Sequence, residues 1–341
     1  MIGRAATRLL DAPRVGLEEA GLKSAVDALG GEVTRLRSRD GLKLTARWLP
    51  ADAGAAGSGG DSGGVAWRPD PYEAILLLHG WTGSVAPDLV ELGPTLRRTA
   101  GVLGLDFRGH GGSDDAPTTF GLHEIDDVAG ALGWLGERGI RRVALVGSSM
   151  GGVVAIAAIV VLGDGSLVQA DLDPTAPAAD VEAPRPRIVG AVVESVAPDL
   201  RIPIANRMGL PIGGVLRRLL AGRMFRVAGR RVGGDLRATE PGRIVGLVEP
   251  VPLLLVHGGA DRTVRPADGR RLAALAGPSA EHWEVPGAQH GQARRAAPAQ
   301  WDERVSAFLR SAFTDAREVV PIIHGSGEPT ADSDTHGLEG D

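Results

Sequence analysis

Apolar and polar positions alternate in two registers along this chain. Val33 to Ser38 and Leu42 to Leu49 alternate residue by residue on either side of Arg39-Asp40-Gly41, which predicts an antiparallel hairpin around an Asp-Gly turn. From residue 74 the pattern changes to short unbroken apolar runs separated by longer helical stretches. The runs AILLLHG at 74–80, GVLGLDF at 101–107 and RVALVGS at 142–148 read as strands, with helices over about 87–99, 123–138 and 150–162 between and after them. Continuous apolar strands spaced by helices predict a parallel sheet covered on both faces. The pattern resumes with strands IVGAVVES at 188–195 and VPLLLVHG at 251–258. It closes with a helix at 266–276, a strand near 280–285 and a helix at 298–313.

Three stretches interrupt this alternation. Ala51 to Gly64 and Gly163 to Arg187 are low-complexity linkers too poor in large apolar groups to repay the entropy of ordering. Ala197 to Val248 is too long for a plain crossover and marks a cap insertion at about 197–248. Residues 1–31 read as one or two short amphipathic helices interrupted by Gly21, Gly30 and Gly31, ahead of a main domain at 32–314. The tail, 315–341, is expected to be disordered from about Gly325.

Composition narrows the chemistry. A chain of 341 residues, 43 % apolar, has enough material for one large core. The net charge of -5 provides no broad cationic surface, which argues against nucleic acid as a partner. The absence of cysteine excludes disulfides, thiolate metal sites and a thiol nucleophile. Val153 to Leu162, the longest apolar run, is about half of what a membrane-spanning helix needs, and residues 1–22 contain no continuous apolar segment of the secretory kind. The expectation is a cytoplasmic protein with no integral membrane segment. The histidines show no H-E-x-x-H or similar ligand spacing, so no metal is expected; no organic cofactor is expected either.

Gly147-Ser148-Ser149-Met150-Gly151 lies directly after one apolar strand and opens an apolar helix. A Gly-x-Ser-x-Gly turn in this setting is a nucleophile elbow, and its serine needs a base and a group to orient that base. In sheets built around such an elbow the partners follow in the order acid, then histidine. Asp261, in HGGADRTV after the strand at 251–258, is the candidate acid, and His290, in VPGAQHG after the last strand, the candidate base. Glu194, which ends the preceding strand at the same edge, competes for the acid position, as does Asp268 more weakly; His257 and His282 are weaker rivals of His290. For a tetrahedral oxyanion the candidate donors are the backbone N–H groups of Met150 and of Trp81, the latter in the loop HGWTGS at 79–84.

These blocks, with Leu105-Asp106-Phe107-Arg108-Gly109-His110-Gly111-Gly112-Ser113-Asp114, make the chain resemble the α/β-hydrolase superfamily over roughly residues 32–314. The last block is similar to the D-x-R-G-x-G-x-S loop of its lipase-like and aminopeptidase-like members. The resemblance implies a mostly parallel eight-stranded sheet with helices on both faces and a small helical cap. It implies hydrolysis of a small-molecule acyl ester through Ser149, His290 and Asp261. A peptidase, amidase or thioesterase would use the same three residues, and a slow-turnover ligand receptor could retain them. Ser149 stands where epoxide- and haloalkane-cleaving relatives carry Asp and dienelactone hydrolases carry Cys, which favours acyl transfer to water. The HGGG run of one lipase group is absent, so the oxyanion loop is of the HG-x type.

Between Pro198 and Arg243 ten arginines stand against Asp199, Asp235 and Glu240, interleaved with Met208, Leu210, Leu216, Leu219, Leu220, Met224 and Phe225. Two readings remain open: a lid whose apolar face covers an acyl pocket while its basic face makes peripheral contact with anionic substrate or lipid, or a solvated helix pair in an arginine-rich chain.

Overall fold

The computed structural model describes residues 2–11, 22–52, 54, 67–81, 83–163, 185–209 and 211–318. The tail beyond 318 and most of the two low-complexity linkers lie outside the described residues. Among the described residues eight strands form one sheet: β1 (Glu32–Arg37), β2 (Lys43–Leu49), β3 (Glu73–Leu78), β4 (Gly101–Leu105), β5 (Arg142–Ser148), β6 (Arg187–Glu194), β7 (Leu253–Gly258) and β8 (Ala280–Val285). Their order is β1-β2-β4-β3-β5-β6-β7-β8. β2 pairs antiparallel with β1 and β4, and every other pairing is parallel.

The apolar runs are continuous because both faces of the central strands are covered. Ala74, Leu76 and Leu78 of β3 join Val143 and Leu145 of β5 in one core, whereas Ile75 and Leu77 join Ala144 and Val146 in a second core on the opposite face. Helices α3 (Ala86–Leu96) and α11 (Pro298–Glu318) close the second core. Helices α4 (Glu124–Glu137) and α5 (Met150–Leu162) close the first. α5 is apolar on every side and buried from Met150 to Ile159, as expected for a helix walled in by the sheet and α4.

The remaining helices are α1 (Ile2–Leu10), α2 (Leu22–Ala28), α6 (Arg201–Arg207), α7 (Gly214–Val232), α8 (Pro241–Ile244), α9 (Pro266–Ala276) and α10 (Ala293–Ala296). Between β6 and β7, α6 packs on α7, and α1 packs on α7 from the other end of the sequence. α1 buries Ala6, Leu9 and Leu10, and the Leu10 carbonyl accepts the Thr118 N–H at 2.8 Å.

α11 extends to Glu318 rather than ending near residue 313. Its last turn is held from a distance: Arg317 Nε donates to Glu73 Oε1 at 2.7 Å and Nη2 to Oε2 at 2.5 Å, on a carboxylate buried at the start of β3. Among the described residues no helix is long and apolar enough to cross a membrane.

The strand order sets the position of the site. From β3 the chain steps to β4 on one side, then returns past β3 to place β5 on the other. Such a reversal leaves a crevice at the carboxyl ends of the two strands. Leu78 pairs with Gly147, Ser148 with Glu194 and Glu194 with Val256, so the loops that follow β3, β5, β6 and β7 all emerge along one edge.

Candidate active site

Ser149 sits between β5 and α5 with φ 52° and ψ -111°, a conformation that costs a non-glycine residue about 1–3 kcal/mol. Neighbouring contacts hold it there. The Ser149 N–H donates to the Glu194 carbonyl at 2.8 Å, and the Ser149 carbonyl accepts the Val153 N–H at 3.1 Å. The flanking glycines are steric requirements. A Cβ on Gly151 would stand 2.1 Å from the Leu78 carbonyl oxygen, and one on Gly147 would stand 2.5 Å from the Gly151 carbonyl carbon. Only a backbone without side chains lets β3, β5 and α5 approach this closely.

Asp261 and His290 meet Ser149 from two later loops. His290 Nε2 lies 3.0 Å from Ser149 Oγ, and His290 Nδ1 lies 2.8 Å from Asp261 Oδ2. Asp261 is buried, and its second oxygen accepts the Thr263 and Val264 N–H groups at 2.8 and 2.9 Å. Burial works to raise its pKa, but the hydrogen bond and charge of His290, with the two N–H donors, outweigh it and hold the carboxyl below its ordinary range.

The rivals make other contacts, although His257 Nε2 also lies 3.8 Å from Asp261 Oδ2. Glu194 touches the Ala293 N–H rather than His290; Asp268 belongs to the first turn of α9; His257 is buried with Nε2 2.9 Å from the Val264 carbonyl; His282 lies within β8.

Met150 opens α5, so its N–H has no carbonyl one turn earlier within the helix. The loop after β3 runs beside the nucleophile, since a Cβ on Gly80 would lie 3.8 Å from Ser149 Cβ. This loop is braced from below. Phe107 N–H donates to His79 Nε2 at 3.1 Å, which leaves the proton on His79 Nδ1 to donate to the Gly80 carbonyl at 2.6 Å. Burial, with His110 nearby, lowers the His79 pKa to about 3 and keeps the ring neutral. His110 Nε2 lies 3.0 Å from the Trp81 carbonyl, and Asp106 Oδ1 accepts the Val85 N–H at 2.8 Å. The block at 105–114 thus fixes the carbonyl side of Gly80 and Trp81 and the start of α3.

The model of the alpha/beta hydrolase family matches residues 75–308, more than half of the chain, and spans every residue just described. The chain belongs to the alpha/beta hydrolase family. Within the range of this family it is similar to the uncharacterized protein YfhR of Escherichia coli O157:H7, 24 % identical over 280 residues and 79 % of each chain. It is also similar to a serine hydrolase-like protein of Dictyostelium discoideum, 33 % identical over 112 residues, 29 % of this chain and 28 % of that one. Among solved structures, an esterase of Pyrococcus furiosus matches with a TM-score of 0.57 at 22 % identity, covering 88 % of this chain and 98 % of that one. An alpha-beta hydrolase from Vibrio vulnificus matches with a TM-score of 0.60 at 16 % identity, covering 90 % and 92 %. At these identities the structural likeness is one of fold.

Sequence reasoning missed how this hydrolase fold ties its loops together at the end of β6. The Glu194 carbonyl receives the Ser149 N–H, while Glu194 Oε1 accepts the Ala293 N–H at 2.8 Å. Ser195, at φ 57°, accepts the Gly291 N–H on Oγ at 3.0 Å and donates its own N–H to the Val256 carbonyl. Two consecutive residues therefore hold the backbone of Ser149 and the backbone that follows His290. Burial pushes the Glu194 pKa up to about 7; the Ala293 N–H opposes this, and Asp88, Glu91 and Asp261 add to it. The signal for Glu194 was its place at a strand end; nothing local marks Ser195. Among the described residues no three His, Asp or Glu side chains converge to hold a metal ion.

Proposed function

We propose that the protein is a serine hydrolase that cleaves carboxylic esters through Ser149, His290 and Asp261. The observation that carries this reading is the unbroken line from Asp261 Oδ2 to His290 Nδ1 and from His290 Nε2 to Ser149 Oγ, at 2.8 and 3.0 Å, on a strained turn at the sheet edge.

Ser149 Oγ attacks the acyl carbonyl as its proton passes to His290 Nε2, and the ionised Asp261 steadies the imidazolium that forms. The oxyanion lies against the N–H groups of Met150 and Trp81. A donor of this kind contributes about 3–4 kcal/mol to the transition state. Collapse expels the alcohol, which takes the proton from His290 and leaves an acyl group on Ser149. Water then enters, gives a proton to His290, and releases the carboxylic acid as Ser149 recovers its hydrogen. No step requires a cofactor.

Initial rates on 4-nitrophenyl esters of increasing acyl length, and on the matching anilides, test the reading. The expected result is ester turnover that falls by about 10⁴-fold or more in Ser149→Ala, with anilides cleaved far more slowly. Equal rates for the parent and Ser149→Ala would contradict it, and faster anilide cleavage would move the assignment to an amidase.

A further inference from the structure

A cleft of about 680 Å³ opens between α1, α6, α7 and the loop after β3, within the roughly 300–1,000 Å³ range of small-molecule sites. Its apolar wall comprises Leu9, Trp81, Met208 and Met224, and Arg4, Arg8 and Arg207 also line it. Arg4 and Arg8 are one helical turn apart, so both fall on the same side of α1, and Arg207 ends α6. All three are exposed, and among the described residues none of them is in an ion pair and no carboxylate lines the cleft. Other arginines of the fold are paired, among them Arg108 with Asp40 and Asp127, Arg142 with Asp70 and Glu73, and Arg201 with Asp199, whereas Arg217, Arg218, Arg223, Arg226 and Arg230 of α7 are, like these three, in no ion pair among the described residues. The indole N–H of Trp81 is buried without a partner among the described residues, although burial of a polar atom normally requires one. Trp81 is also the residue whose main chain supplies a candidate oxyanion donor, so the cleft meets the candidate active site at this residue; neither Ser149 nor His290 lines it.

We propose that this cleft binds substrates that combine an alkyl chain with an anionic group, a phosphate, sulfate or carboxylate. The alkyl part lies along Trp81, Leu9 and the two methionines. The anion lies among the three guanidinium groups, which present up to five donors each in a fork suited to such oxygens. The inference rests on the esterase reading for the statement that the ligand is a substrate; the binding preference itself does not depend on catalysis.

The test uses the full chain carrying Ser149→Ala, titrated calorimetrically with octyl sulfate, octan-1-ol and octyltrimethylammonium below their aggregation concentrations. The expected order is octyl sulfate tightest and the ammonium weakest. The preference for sulfate over the alcohol should shrink by about tenfold when Arg4, Arg8 and Arg207 are replaced by Gln, with alcohol binding unchanged as the control for folding. Raising salt from about 0.05 to 0.5 M should shrink the same preference without any substitution. Octyl phosphate beside inorganic phosphate separates an amphiphile site from a simple anion site, since only the former leaves inorganic phosphate weak. Equal binding of the three octyl compounds, a preference that survives both the substitutions and the salt, or inorganic phosphate binding as tightly as octyl phosphate would overturn the proposal. In the unsubstituted protein octyl sulfate should inhibit 4-nitrophenyl butyrate hydrolysis competitively; binding without competition would remove the cleft from the substrate path. Absence of hydrolysis altogether would refute the esterase reading while leaving the binding preference to be judged by the titrations.

Discussion

The carboxyl edge of the sheet and the helices α1, α6 and α7 differ in how tightly neighbours fix each residue. At the edge, Ser149 is held through its own N–H and carbonyl, Asp261 accepts three hydrogen bonds, and glycines at 147 and 151 stand where a single added carbon would meet backbone. On α7, Val215, Leu216 and Leu219 are exposed, and the buried face is reduced to Ala221, Phe225, Ala228 and Gly229. The proposed chemistry, which needs atoms placed to a few tenths of an ångström, lies in the first region. The second presents surface, so it can change side chains at little cost to the fold.

That contrast can be tested in descending order of effect. Asp261→Asn should lower kcat for ester cleavage by about 10⁴-fold, because the imidazole loses both its tautomer and its counter-charge, whereas Glu194→Gln should cost about tenfold or less. Equal losses in steady-state kinetics would break the distinction between an acid that touches His290 and one that holds its loop. Next in size is Gly151→Ala, which forces a Cβ against the Leu78 carbonyl and should destabilise the fold by more than about 2 kcal/mol in urea unfolding.

Smaller again is a pH effect. Asp88 and Glu194 have folded-state pKa values raised to about 7 from 3.8 and 4.5, chiefly by burial, in a cavity of about 20 Å³ that Ser148 and Trp301 also line. Over the window from about pH 4 to 7 the folded protein binds these protons more tightly than the unfolded chain. Their contribution therefore turns against the fold as pH rises through this window. Asp261, whose pKa is lowered, acts in the opposite sense, its stabilisation fading as pH falls below about 4. Thermal melts of Glu194→Gln should show a flatter decline between pH 5 and 8 than the parent. The smallest effect is expected for Leu219→Ser on the exposed side of α7, within about 0.5 kcal/mol.

The same contrast explains what could be read from residue order. The β5 strand, its glycine-flanked serine and α5 were legible because strand, turn and helix signals follow one another without a break from Arg142 to Leu162. The strand ends at Glu194 and Gly258 were legible too, and residue order favoured Asp261 over Glu194 as the acid without excluding Glu194. Both follow apolar strands at one edge, and only the path of the next few residues decides which carboxylate turns toward His290. α11 outran its expected end because its last turn depends on Arg317 reaching Glu73, 244 residues away in the chain. The docking of α1 on α7 was hidden for the same reason. The leucines at 216 and 219, which would belong to the covered face in the lid reading, turn outward, whereas Met208 and Met224 line the cleft. An arginine-rich amphipathic stretch does not indicate which of its sides will be covered.

The most direct test of the central claim is the rate at which a fluorophosphonate labels the protein, compared across the parent, Ser149→Ala, His290→Ala and Asp261→Asn. If His290 and Asp261 activate Ser149, the parent labels rapidly at Ser149 alone, Ser149→Ala does not label, and the other two label slower by orders of magnitude. Labelling of His290→Ala at the parent's rate, or of Ser149→Ala at any comparable rate, would contradict the account.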